Sequence, residues 1–182
     1  MELLPDFCQI YILYLDEIKG LIPSLIFSNN FIKKNEKQIF PIKFHPILLL
    51  DSEKENDFQQ INLVYNGKVY CAKRFNNKIK TGKFFIILVL TKEYNIYGSD
   101  LLDVITNTIK KNFGDSLNQV IESEILKENS IKSPRIVEII KKGESTKANI
   151  KKHLKRIWEN YFESKTYSFE KNQSNLKFEE VT

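Results

Sequence analysis

This 182-residue sequence contains two histidines, two cysteines and one adjacent acidic pair that could support catalysis or metal binding, but their spacing does not join them into a site. They are His45, His153, Asp16, Glu17, Cys8 and Cys71. The two histidines are far apart in the sequence, and neither belongs to a pair with metal-ligand spacing. His45 lies between Phe44 and Pro46, and His153 lies among lysines. A structural or solvent-facing role is therefore favoured over catalysis for both histidines.

The acidic pair and the cysteines favour the same conclusion. Asp16 and Glu17 are adjacent carboxylates, which can bind metals or transfer protons, but in a turn they are usually only solvated. Cys71 lies between Tyr70 and Ala72 in an apolar run, a setting typical of a buried core cysteine. The six glycines are dispersed, so there is no phosphate-binding loop. The sequence predicts no enzyme, no catalytic or metal-binding residue and no cofactor.

The composition predicts a globular, cytoplasmic protein. The hydrophobic fraction of 42% is sufficient for a core. Two cysteines do not form a disulfide framework, and reduced thiols are expected. No apolar run approaches the roughly 20 residues that span a bilayer. Because Glu2, Pro5 and Asp6 interrupt the N-terminus, it does not look like a signal peptide. Peripheral association with a membrane is also compatible with the sequence.

The apolar segments predict two hairpins and a central strand. Residues 10–15 and 21–27 form the first hairpin around Gly20, and Pro23 predicts an edge position or a bulge in the second strand. Asn66-Gly67 favours a type I′ turn between residues 61–65 and 68–72. Residues 84–90 are seven consecutive apolar residues, which predicts a strand covered on both faces. Residues 28–60 receive no assignment.

Helical periodicity follows the strands. Ser99 is the predicted N-cap of a helix that ends at Gly114, and a second helix opens near Asp115 and Ser116. Pro134 opens a short helix that is predicted to end at Gly143.

A final helix is predicted over residues 144–163, with a loose tail over residues 164–182. One apolar stripe follows its helical spacing. The stripe consists of Ile150, Leu154, Ile157, Trp158 and Tyr161.

Positive charge is concentrated towards the C-terminus. Residues 132–156 contain nine Lys and Arg against two Glu, a net charge of +7, whereas the whole chain carries +5. An electrostatic partner would therefore meet the C-terminal third of the chain.

The order of the segments resembles that of the longin domain. "YILYLDEIKGLIPSLIF" looks like the opening hairpin of that family, and "NLVYNGKVYCAKRF" and "GKFFIILVL" look like its third to fifth strands. "GSDLLDVITNTIKKNF" and the following helix look like its paired C-terminal helices. The resemblance covers about residues 8–128 and rests on order and hydrophobic pattern. One departure is that Pro41 and Pro46 obstruct the regular helix which the family places after the second strand.

The resemblance implies an α/β (α+β) fold with a mainly antiparallel five-stranded sheet flanked by helices. The predicted domains are a longin-like domain over residues 1–130, a basic helical extension over 131–163 and a flexible tail over 164–182. Longin domains occur in trafficking SNAREs, in adaptor and TRAPP subunits and in DENN-type regulators of small GTPases. The implied function is a non-enzymatic, protein-binding adaptor or scaffold of a membrane-trafficking or small-GTPase regulatory assembly.

The basic C-terminal helices are the candidate binding element. The predicted partner-binding residues are Lys151, Lys155, Arg156, Ile157 and Trp158, because tryptophan and arginine are favoured anchors at interfaces. Four alternatives remain open for the apolar stripe and its lysines. The stripe can pack on the protein's own sheet, enter a groove of a protein partner, or lie on an anionic membrane, or the lysines can bind nucleic acid. A homodimer through an edge strand or the stripe is also compatible with the sequence.

Overall fold

The chain is described here by a computed structural model that covers residues 8–16, 20–28, 60–65, 67–76, 83–127 and 133–179, with side chains of the last helix described up to residue 165. The predictions for residues 29–59, including His45 and the effect of the two prolines, lie outside the described residues. Within the described ranges, the fold is mixed α/β, with five strands followed by three helices. The elements are β1 (Cys8–Asp16), β2 (Gly20–Ser28), β3 (Gln60–Tyr65), β4 (Lys68–Asn76), β5 (Lys83–Thr91), a 3₁₀ turn (Lys92–Tyr94), α1 (Asn95–Phe113), α2 (Leu117–Lys127) and α3 (Pro134–Glu179).

The strands form one open antiparallel sheet in the order β2-β1-β5-β4-β3. Both predicted hairpins are confirmed, since β1 pairs with β2 and β3 pairs with β4. Gly20 and Gly67 adopt φ values of +74° and +70°, which glycine accepts without steric cost. The predicted central position of residues 84–90 is also confirmed, because β5 lies between β1 and β4.

Pro23 has both of the predicted consequences. The strand that contains it, β2, is an edge strand of the sheet in the described residues. Ile12 is opposite Leu25 and Leu13 is opposite Pro23, so Ser24 is an extra residue that forms a bulge. A proline cannot donate to a strand ladder, and an edge position with a bulge removes that requirement.

The seven apolar residues of β5 serve two buried clusters. Alternate side chains of a strand point to opposite faces of a sheet, and β5 is covered on both. One cluster includes the even-numbered residues Phe84 to Leu90, with side chains from β1, β2, β4 and all three helices. The other contains only sheet residues among its buried members. These are Tyr11, Leu13, Ala72, Phe85, Ile87 and Val89.

The first helix begins earlier than predicted. It starts at Asn95, directly after the 3₁₀ turn, so the prediction of Ser99 as its N-cap is wrong. A hydrogen bond connects the preceding 3₁₀ turn to the β3–β4 turn, since the Lys92 N–H donates to the Gly67 carbonyl at 3.0 Å. The Ser99 hydroxyl instead accepts a hydrogen bond from the Gln60 amide at 2.7 Å. The predicted end of the helix at Gly114 and the predicted start of α2 are confirmed.

The last helix is longer than predicted and has no break. Pro134 begins it, as expected, but the helix continues through Gly143 and past residue 163 to Glu179. The predicted helix ends at Gly143 and at residue 163 are therefore wrong, whereas the flexibility of residues 164–182 stays a prediction. Glycine lowers the stability of an isolated helix by about 1 kcal/mol relative to alanine, and tertiary packing readily overrides this preference.

Candidate functional site

The apolar stripe of α3 packs into the protein's own core. Ile150, Leu154 and Trp158 are buried in the same cluster as the sheet residues, and Ile157 is half-buried against it. The Trp158 side chain is 4% exposed. Of the alternatives for the stripe, the structure shows the first, in which it packs against its own domain. Trp158 is thus a core residue in this fold and is not presented at the surface.

Aromatic side chains of the second half of α3 pack against the 3₁₀ turn and the start of α1. Phe162, which the predicted stripe did not include, contacts Trp158 at a centroid distance of 4.6 Å, Tyr97 at 5.8 Å and Tyr94 at 6.0 Å. The sequence signal for this role of Phe162 is its position four residues after Trp158, because residues with that spacing share a helix face. These pairs are tilted or edge-to-face, as favourable aromatic contacts are.

Tyr161 and Lys165 both contact Asp100 beside these aromatic rings. The Tyr161 hydroxyl donates to Asp100 Oδ2 at 2.8 Å, and Lys165 Nζ lies 3.4 Å from the same carboxylate. The ammonium group of Lys165 is also 5.2 Å from the centre of the Tyr161 ring. Burial raises the pKa of Tyr161, and its hydrogen bond to Asp100 raises it further. The phenol therefore stays protonated and acts as a structural donor.

A close helix crossing joins α3 to α2. A Cβ atom added at Gly143 would lie 2.3 Å from Ser123 Cβ and 3.0 Å from the Gln119 carbonyl oxygen. Ser123 is fully buried, and its hydroxyl donates to the Val120 carbonyl at 2.7 Å. Gly143 is therefore a contact point between two helices, and the helix continues through it.

Four charged side chains form ion pairs beside the same helix crossing. Lys147 Nζ lies 2.5 Å from Glu124 and 3.5 Å from Glu144, and Lys127 pairs with both of these acids. The hydrogen bond from Lys127 lowers the pKa of Glu144, so this carboxylate stays charged. Lys147 and Glu144 thus hold α3 on its own domain.

Most other cations of α3 point to solvent. Lys151, Lys152, Lys155 and Arg156 are exposed, and Lys155 lies 3.7 Å from Glu159. Within the described part of the chain, no acidic group forms an ion pair with Lys151, Lys152 or Arg156. Three of the five predicted partner-binding residues, Lys151, Lys155 and Arg156, therefore lie at the surface, whereas Ile157 and Trp158 face the core. Their contact with a partner stays a prediction.

Large apolar side chains on β3 and on α1 are exposed. Val64 on β3 is 52% exposed, and Ile96 in the first turn of α1 is 78% exposed. Within the described residues, β3 pairs only with β4 and forms the second edge of the sheet. A homodimer through an edge strand stays a prediction.

The candidate chemical groups that the structure describes are dispersed in the fold. The His153 ring packs edge-on against Phe113 at 4.9 Å, and its Nδ1 lies 3.0 Å from the Asn149 carbonyl oxygen. Asp16 is at the end of β1 and Cys71 is in β4, whereas Glu17 lies outside the described residues. In the ranges that the structure describes, no three His, Cys, Asp or Glu side chains are grouped closely enough to bind a metal ion.

Cys71 is expected to resist alkylation in the folded protein. Its side chain is fully buried, and burial raises the pKa of the thiol to about 11. Because the thiolate is the reactive form, little of it is present near pH 8. Peptide mass spectrometry after iodoacetamide treatment should find Cys71 unmodified in native protein and modified in denaturant. Rapid modification of native protein would show an accessible, activated thiol and contradict this prediction.

No protein-family model matches the chain, and no curated protein matches it at a significant level. Among the described residues, no helix combines the length and the apolar character needed to cross a bilayer.

Proposed function

We propose that this protein is a non-enzymatic, protein-binding adaptor or scaffold subunit built on a longin-like domain, acting in a membrane-trafficking or small-GTPase regulatory assembly. The observation that carries the proposal is the architecture. Five antiparallel strands in the order β2-β1-β5-β4-β3 precede the helices that pack on the sheet, which is compatible with a longin-like fold. The step from fold to function is an analogy, since one fold can serve several functions.

The placement of the candidate reactive groups also supports a binding role. Cys71 is buried with its thiol protonated, and the His153 ring is packed against Phe113. In contrast, α3 presents exposed cations along its outer side. A surface of this kind suits recognition of another macromolecule.

Binding to purified partners tests the proposal. The tagged full-length chain is mixed with small GTPases of the source organism, each loaded with GDP or with a non-hydrolysable GTP analogue. It is also mixed with purified trafficking subunits. The full chain is used because α3 supplies buried core residues such as Leu154 and Phe162, and truncation before α3 would expose the core. Saturable capture that untagged protein competes away supports the proposal. Failure of every candidate to bind folded protein at micromolar concentration overturns it.

A second candidate function is a basic module that binds nucleic acid or an anionic membrane. The observation in its favour is that Lys151, Lys152 and Arg156 are exposed and form no ion pair with the described acidic residues. Binding to RNA or to anionic vesicles should then weaken steeply with salt, because counterions are released from the polyanion. If salt did not change the affinity for RNA or for anionic vesicles, this candidate function would be excluded.

A further inference from the structure

The exposed side of α3 carries a bounded cluster of cations. We call this surface the basic face, and it consists of Lys141, Lys142, Lys151, Lys152, Lys155 and Arg156. It extends over fifteen residue steps, or about 23 Å and four helical turns. All six side chains are exposed.

Acidic residues mark both ends of the basic face. Glu138 lies 3.0 Å from Lys142 at one end, and Glu159 lies 3.7 Å from Lys155 at the other. Glu144 lies between these ends in sequence, but its charge is engaged at the α2 crossing with Lys127 and Lys147. Four cations of the face therefore have no ion pair with an acidic side chain among the described residues: Lys141, Lys151, Lys152 and Arg156. One further cation, Arg135, lies beyond Glu138.

The centre of the basic face carries short side chains. Ser145, Ala148 and Asn149 are exposed between the two groups of lysines. Short side chains permit a second helix to approach closely, and the long lysine and arginine side chains can then reach its flanking positions, as charged residues do beside helix–helix seams.

The pattern favours an acidic protein segment over the other anionic ligands. Bilayers and nucleic acids extend their negative charge beyond 23 Å, whereas at both ends of the face a lysine is already balanced by an ion pair, Lys142 with Glu138 and Lys155 with Glu159. The α3 side chains described up to residue 165 include no exposed aromatic residue for bilayer insertion or base stacking, since Trp158 and Tyr161 are buried. The same face of a second copy would meet it with like charges.

We propose that the basic face docks an acidic helical segment of about four turns from a partner protein. The proposal rests on the protein-binding function proposed above, and it keeps Lys151, Lys155 and Arg156 of the predicted partner-binding residues while leaving out Ile157 and Trp158, which face the core. Its recognition is electrostatic, with acidic residues of the partner facing Lys152 and Arg156, which lie one turn apart on the same side of α3.

A charge-reversal pair tests this contact. The probe is a synthetic glutamate-rich helical peptide, and binding is measured by fluorescence anisotropy. The double variant Lys152→Glu and Arg156→Glu should weaken binding at least tenfold, because two attractive contacts become repulsive. The control Lys92→Glu and Lys111→Glu has the same change in net charge at exposed positions away from the face, and it should change affinity less than threefold. Circular dichroism melts establish that both variants are folded.

A charge swap makes the test specific. A peptide with lysine at its two facing glutamate positions should bind the Lys152→Glu and Arg156→Glu variant better than it binds the natural sequence. Equal losses in the variant and its control would overturn the proposal, because binding would then depend only on net charge. Tighter binding of the natural sequence to phosphatidylserine vesicles or to a short RNA duplex than to the peptide would also overturn it.

The two proposals can fail separately. If a GTPase or trafficking subunit is captured equally well by natural protein and by the Lys152→Glu and Arg156→Glu variant, the adaptor function stands and docking on the basic face is overturned. If no such partner is captured but the acidic peptide binds with the expected charge-swap behaviour, the basic face is supported and the trafficking assignment is overturned.

Discussion

Replacement of Trp158 by alanine is expected to lower the free energy of unfolding by about 3–5 kcal/mol. The indole is 4% exposed and contacts Phe162 at 4.6 Å in the core that α3 shares with the sheet. Removing it leaves a cavity that rigid neighbouring rings cannot fill. Urea denaturation followed by far-UV circular dichroism measures the change, since loss of the only tryptophan also removes the intrinsic tryptophan signal.

The matched control is Lys155→Ala on the exposed side of the same helix. Its expected effect is within about 0.5 kcal/mol, as for most surface substitutions. If Trp158→Ala were as stable as the control, the indole would lie outside the core, and Trp158 would again be a candidate partner anchor. A partner-binding loss in Trp158→Ala must therefore be judged against the fraction of protein that remains folded.

Gly143→Ala is expected to destabilise the protein by about 1–3 kcal/mol, although glycine to alanine stabilises an exposed helix interior by about 1 kcal/mol. The new methyl group would lie 2.3 Å from Ser123 Cβ and 3.0 Å from the Gln119 carbonyl oxygen. Such contacts can be relieved only if α2 and α3 move apart, which would disturb the adjacent ion pairs. Equilibrium unfolding in urea gives the change in free energy.

A second substitution shows whether the crossing is the cause. Ser123→Gly removes the nearest clashing atoms, so Gly143→Ala should destabilise a Ser123→Gly background much less than the natural sequence. Ser145→Ala, at an exposed site two residues along the same helix, should be neutral or slightly stabilising. A stabilising effect of Gly143→Ala in the natural background would mean that the helices do not approach closely at this glycine.

Local sequence patterns predicted the strands well because each signal belongs to a few adjacent residues. Asn66-Gly67 and Gly20 indicate turns through backbone conformations that glycine adopts freely, and both glycines have positive φ. Pro23 indicates an edge or a bulge because it has no N–H, and β2 has both features. Seven consecutive apolar residues in β5 predict a strand that is buried on both faces, and all seven side chains are buried.

Helix boundaries and the role of α3 depended on more distant residues. Gly143 looked like a stop, but it lies where α2 crosses α3, and only the position of Ser123 reveals this use. Ser99 looked like a cap, but the helix follows the 3₁₀ turn after β5 directly and begins five residues earlier than a cap at Ser99 would place it. The missed Phe162 connects to Tyr94 and Tyr97, which are more than sixty residues away in the chain.

By itself, the sequence determined the hairpins, the central strand, the amphipathic character of α3 and the location of its positive charge, because these follow from backbone chemistry and side-chain periodicity. Only the tertiary structure decided which side of α3 is free. The apolar stripe could have met either a partner or the protein's own sheet, since the hydrophobic effect favours burial without specifying the surface that provides it. Packing against the domain buries Trp158 and leaves Lys152 and Arg156 exposed to solvent.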